Sequence, residues 1–148
     1  MKKKKRVEGD IFEIKLPDGD LAFGRVLPDP LCAFYDLKCK VAPSLDDILG
    51  AKVLFKIWVM NHTFWYARWP TIGNRPLEPD LKNQPVFAKV DPITKKLSTY
   101  HMGQERPASR EEVQGLERAA VWDPEHVESR LSDYFAGRPN LIVERFKV

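Results

Sequence analysis

Gln104-Glu-Arg-Pro-Ala-Ser-Arg-Glu-Glu-Val-Gln-Gly-Leu-Glu-Arg-Ala-Ala-Val-Trp-Asp-Pro-Glu-His-Val-Glu-Ser-Arg-Leu-Ser-Asp-Tyr-Phe-Ala-Gly137 spells two consecutive helices with almost every boundary signal present. Ser109 can accept a hydrogen bond from the backbone three residues on while Glu112 reaches back, which is the capping box. Asp123 and Pro124 make an N-cap and first-turn pair, because proline lacks the N–H that would be orphaned there anyway. Gly137 supplies a left-handed stop. Val113, Leu116 and Ala120 make one apolar face at helical spacing; Val127, Leu131, Tyr134 and Phe135 make the other.

Upstream of these helices the pattern changes from period 3.6 to period 2. Phe12, Ile14 and Leu16 alternate along Gly9–Leu16, Pro17-Asp-Gly-Asp20 turns the chain, and Leu21–Leu27 returns as a β-hairpin. Pro28-Asp-Pro30 breaks it before a third strand from Leu31 to Lys38. Ser44-Leu-Asp-Asp47 caps a short helix ending near Gly50, its paired carboxylates favourably placed on the helix dipole. Lys52–Met60 reads as the most apolar, central strand. Asn61-His-Thr63 is a turn into another strand, Phe64–Trp69, and residues 72–85, with three prolines, form a loop or short irregular helix. Val86–Val90 and Leu97–His101 form a second hairpin around Asp91-Pro-Ile-Thr94, and residues 140–148 close the chain as a strand. Strands followed by helices predict an α+β fold. The expected architecture is a mostly antiparallel twisted sheet or partly open barrel of six to seven strands, with one short helix and two consecutive C-terminal helices.

At 148 residues the chain is one domain's worth, and 43% hydrophobic with 30% charged residues reads as globular. The net charge of +3 is misleading: the five cations from Lys2 to Arg6 exceed it, leaving residues 7–148 at −2. The expected division is a disordered basic tail over residues 1–8 and a single α+β domain over 9–148. No apolar segment follows the tail, so it does not read as a secretory signal, and no run approaches the roughly 20 apolar residues of a spanning helix. Cys32 and Cys39 on one strand would lie about 23 Å apart and point to opposite faces, which precludes a bridge and fits a reducing cytoplasm.

Candidate chemistry is sparse. His62, His101 and His126 have no spacing that converges on one metal, and no glycine-rich phosphate cradle is present. No catalytic residue, metal ligand or cofactor is therefore expected. Phe55, Trp58, Phe64, Trp65, Tyr66 and Trp69 crowd into fifteen residues. A strand covered on one face buries half its side chains, so core packing accounts for part of this cluster, while some of Trp65, Tyr66, Arg68 and Trp69 should reach the surface. Trp65, Arg68 and Trp69 are the candidates for a binding surface, of the residue types that dominate interface energetics.

Several segments carry a resemblance to a known family. They are Gly9-Asp-Ile-Phe-Glu-Ile14, Pro17-Asp-Gly19, Phe23-Gly-Arg-Val-Leu27, Phe34-Tyr-Asp36, Leu54-Phe-Lys-Ile-Trp-Val-Met60 and Gly73-Asn-Arg-Pro-Leu-Glu78. The most specific runs from Arg106-Pro-Ala108 through Leu116-Glu-Arg-Ala-Ala-Val-Trp-Asp-Pro-Glu-His-Val-Glu128. Together they resemble the immunity protein 26 family of bacterial polymorphic-toxin and contact-dependent inhibition systems. The resemblance implies a cytoplasmic protein that binds a cognate toxin domain and occludes it, with no turnover, no membrane and no direct nucleic-acid partner. Were the toxin a nuclease, its basic active site would favour carboxylates here. Asp18, Asp20 and Asp29 near the first hairpin, and Glu125, Glu128 and Asp133 on the last helix, are the candidates. Two alternatives stand beside this reading. Some members of the group carry the label of small phosphotriesterase, a hydrolase reading that three scattered histidines serve poorly. A nucleic-acid-binding β-module would use the basic tail with Trp65 and Trp69.

Overall fold

The computed structural model describes residues 3–148; Met1 and Lys2, which open the basic segment, lie outside the described residues. The first hairpin forms as expected, β1 (Asp10–Lys15) against β2 (Leu21–Val26), with Ile14 opposite Ala22. β3 (Leu31–Cys39) and β4 (Val53–Val59) continue the antiparallel order. Edge strand β5 (Thr71–Asn74) adds beyond β1, and β9 (Val121–Trp122) runs parallel to β4, so the six-stranded sheet is ordered β5-β1-β2-β3-β4-β9. A separate antiparallel sheet holds β6 (Phe87–Val90), β7 (Leu97–His101) and β8 (Gln104–Pro107). The fold is α+β, built on two open sheets with nine strands among the described residues, and not a barrel.

The large sheet is covered on both faces, which is why β3 opens with five buried residues in succession. On one face Phe12, Ile14, Phe34, Ile57 and Val59 pack with Val127 and Leu131 of α5 (Pro124–Phe135) and with Ile142, Val143 and Phe146 of α6 (Leu141–Phe146). On the other, Ile11, Phe23 and Tyr35 meet Ile48 of α1 (Leu45–Leu49). Beside them Leu27, Leu31 and Ala33 meet Phe87 of the small sheet and Leu81 of α3 (Pro79–Lys82). Phe12 fits because residue 24 is glycine: a Cβ there would stand 2.4 Å from the Phe12 ring and 2.8 Å from the Ala33 carbonyl oxygen.

The first of the two expected C-terminal helices is cut to one turn, α4 (Arg110–Val113), although both bonds of its capping box are made. Gly115 at φ 80° ends it, and residues beyond it bond sideways: Ala88 N–H donates to Glu117, and Ala119 N–H to Ala88. Pairing with β6, and then with β4, wins over a helix interrupted by glycine, which costs about 1 kcal/mol at that position. The second helix stands where expected, with Asp123 accepting from the Glu125 N–H at 3.0 Å and Gly137 at φ 71°.

Two expected strands are helices. Residues 64–69 contain the end of α2 (His62–Trp65) and a tight turn with Ala67 at φ 58°. Phe64 and Trp69 enter the same core cluster, which residues five apart on one strand could not do. The closing segment is α6, because the Asn140 side chain accepts from the Ile142 and Val143 N–H groups at 3.1 Å each and caps it.

Candidate functional site

The nine candidate residues divide into three places. At the hairpin tip, the Lys38 ammonium reaches Asp18 at 2.6 Å and Asp20 at 3.4 Å, so one cation from β3 serves two carboxylates. The Lys38 hydrogen bond, helped by the Asp20 N–H, holds the Asp18 carboxyl below its usual range, and the Asp18 bond in turn raises Lys38.

Asp29 precedes a cis proline in the β2–β3 turn, its side chain 66% exposed. It receives Arg6, a residue assigned to the tail by composition yet nearly buried. The Arg6 guanidinium donates to Asp29 (2.9 Å), Asn61 Oδ1 (2.7 Å) and the Val59 (3.1 Å) and Pro30 (2.9 Å) carbonyls, contacts Cys32 Sγ (3.1 Å), and lies over the Phe64 ring. Trp65 stands nearby, capped by the Lys3 ammonium 3.9 Å from its ring centroid. Asp29, Asn61, Trp65 and the Lys3–Arg6 segment line an open hollow of about 480 Å³.

The third group surrounds α5. Trp69 is 1% exposed and belongs to the core, stacked on Phe12 (5.2 Å) and edge-on to Phe34 and Phe64. As a surface contact it is excluded: the segment that carries it is a turn that folds inward. Its indole N–H donates to Glu128 at 2.9 Å, and the same carboxylate accepts two 2.9 Å bonds from Arg68. Arg68, Trp69 and Glu128 thus form one junction between the 66–69 turn and α5, and the Glu128 bond raises the Arg68 pKa. Asp133 is likewise occupied, accepting from Asn140 (2.9 Å) and Arg138 (3.3 Å) at the α5–α6 turn. Glu125 remains exposed at the start of α5, and Tyr66, two residues before Arg68, is 55% exposed.

Sequence reasoning missed the buried arginines. Arg25, fully enclosed, donates to the Gly9, Arg75 and Pro76 carbonyls, the Tyr35 hydroxyl and Glu78, tying residues 72–85 to β2. Its signal was a charge inside the otherwise apolar strand Leu21–Leu27. Arg130 pairs with Glu117 through two bonds of 2.9 and 2.7 Å and stacks 3.6 Å from the Phe55 centroid. It sits three residues after Val127 on the apolar stripe, which marks it as inward-facing.

The histidines stay apart: His101 contacts the Gln84 carbonyl at 3.2 Å, while His62 lies edge-on to Trp65. Among the described residues no three His, Cys, Asp or Glu side chains gather as a metal site would require, and no helix is long and apolar enough to cross a membrane. Cys32 and Cys39 are both free thiols.

No curated protein and no solved structure matches the chain. The family model described as immunity protein 26 matches residues 7–98, the stretch running from just before β1 into β7 and including Asp18, Asp20, Asp29 and the Arg68–Trp69 turn. The match covers more than half of the chain, which therefore belongs to the immunity protein 26 family.

Proposed function

We propose that this protein neutralises a cognate toxin domain in the bacterial cytoplasm by binding it one to one and covering its working surface, without turning a substrate over. Family membership supports an immunity role and a toxin partner in general. The observation that carries the finer reading is the charge balance at the start of α5. Glu128 takes both Arg68 bonds and pins the turn beside it, while Asp123 and Glu125 also act on Arg68, so one cation faces three carboxylates; Tyr66, in the same turn as Arg68, is exposed. A rigid acidic face with an aromatic anchor suits a basic surface such as a nuclease active site, where complementary charge speeds encounter and fixes register. Polymorphic-toxin and contact-dependent inhibition systems are the setting in which such a pair operates.

The test is co-expression with the toxin domain encoded beside it, followed by calorimetry on the purified pair. One-to-one binding with protection of the cells is expected, and Glu125→Lys should slow association most at low salt. Protection at strongly substoichiometric amounts of this protein would point to turnover and end the occlusion reading.

A further inference from the structure

The basic start of the chain is left unused by the toxin-facing reading, yet the fold gives it a fixed place. Arg6 fastens it: the guanidinium, on a side chain 8% exposed, is held by Asp29, Asn61 and the Val59 and Pro30 carbonyls. Two residues earlier the Lys4 N–H donates to the Trp65 carbonyl at 2.8 Å, and the Lys3 ammonium rests on the Trp65 ring. Residues 3–6 therefore form a strap beside α2, and with Asp29, Asn61 and Trp65 they line the open hollow of about 480 Å³.

The charges of this hollow do not cancel. Arg6 and Asp29 neutralise one another, which leaves Lys3, Lys4 and Lys5, all exposed. None of the three has a carboxylate partner among the described residues. Three uncompensated ammonium groups on an anchored backbone attract a partner with repeated negative charge. The neighbouring side chains narrow its class. Trp65 is half-buried with an exposed His62 edge-on to it, and the adjoining Tyr66 is 55% exposed, so three rings that solvent reaches lie between residues 62 and 66. Cations beside accessible rings suit a single nucleic-acid strand, whose phosphates meet the ammonium groups while its bases stack on ring faces. A cation on an exposed ring is held weakly, so a base can take the place of Lys3 on Trp65 while that ammonium turns to a phosphate. An acidic peptide offers those rings no base to stack, and a bilayer is flat where this surface is hollow.

We propose that the strap and α2 together bind single-stranded nucleic acid without sequence preference, with Lys3, Lys4 and Lys5 on phosphates and Trp65 as the stacking platform. Trp69 takes no part, because it is sealed in the core. The inference goes beyond the toxin-binding reading and departs from the family resemblance, which implies no direct nucleic-acid partner. The two surfaces adjoin at Tyr66.

The experiment follows the fluorescence anisotropy of a labelled oligothymidylate of about 15 nucleotides, near the upper site size of one single-strand-binding module, titrated with full-length protein across a salt series. Saturable, salt-sensitive binding is expected. Replacing the three lysines together (Lys3→Gln, Lys4→Gln, Lys5→Gln) should lower the log–log salt slope by about 2, at about 0.7 per phosphate contact. Trp65→Leu should weaken binding about fivefold or more and leave the slope unchanged. Absence of saturable binding to the wild-type protein at about 50 mM salt overturns the proposal, as does an unaltered slope in the lysine variant, whose substitutions are all at exposed positions. Preferential binding of polyglutamate, or of phosphatidylglycerol vesicles, overturns it too and gives the hollow to an acidic protein segment or a membrane. Unchanged affinity in a folded Trp65→Leu protein removes the stacking platform and with it the assignment to single strands. The readout needs no toxin, so its failure leaves the toxin reading standing.

Discussion

Replacing Glu128 separates the worth of a surface ion pair from the cost of an orphaned buried donor. Its carboxylate takes three hydrogen bonds, two from Arg68 and one from the Trp69 indole. The Arg68 side chain is 43% exposed, so that pair contributes only about 0.2–1 kcal/mol. Trp69 is sealed in the core, and stripping its N–H of an acceptor costs about 1–3 kcal/mol. Glu128→Ala should therefore destabilise by about 2–3 kcal/mol, or about 4–12 °C in Tm for a chain of this size. Glu128→Gln keeps an acceptor for the indole and loses only charge, so about 1 kcal/mol or less is expected. The decisive comparison uses Trp69→Phe, which removes the donor. In that background Glu128→Ala should cost at least about 1 kcal/mol less than in the parent, measured by urea unfolding. Equal costs in both backgrounds, or Glu128→Gln as damaging as Glu128→Ala, would refute the assignment of the energy to the buried N–H.

Gly24→Ala should destabilise by about 1–3 kcal/mol or more, because the new methyl meets the Phe12 ring, and Phe12→Leu should recover part of the loss in thermal unfolding of the double variant. Arg25→Met leaves three backbone carbonyls, Tyr35 and Glu78 without their common donor, so a loss of about 3–5 kcal/mol and faster proteolysis within residues 72–85 are expected. Burial pushes the Cys32 thiol up to about 11, against the opposing pull of Arg6. A raised thiol pKa favours the protonated folded form, so its contribution is full below pH 9 and fades as pH climbs towards 11. Cys32→Ala should show a smaller fall in stability across that window than the parent, and at pH 8 a maleimide should label Cys39 well before Cys32.

Local chemistry accounts for what could be read from the chain alone. The first hairpin, the Ser109 capping box and the Asp123–Pro124 start of α5 each rest on contacts within a few residues, so their signals survive without knowledge of the rest. Membership of the family was legible in the same way, from short runs of resemblance, of which those between Gly9 and Glu78 lie within the matched stretch and the run Arg106–Glu128 lies beyond it. The failures share one cause. Whether residues 116–122 wind into a helix or lie along β6 and β4 depends on partners about thirty and sixty residues away, and the sheet's open edge decided it. Likewise the aromatic run Phe64–Trp69 suited core packing as well as a surface, but it could not say that Trp69 would be the residue stacked on Phe12, or that Arg68 and Trp69 would share Glu128.

Composition and periodicity thus determined the α+β class, the strand-then-helix order and the acidic body beneath a basic start. The tertiary structure alone decided which charges are free to meet a partner, because pairing is a property of distance in space. Arg6, Glu128 and Asp133 look like surface charges in the sequence, but each is occupied by residues that only folding brings within hydrogen-bonding reach.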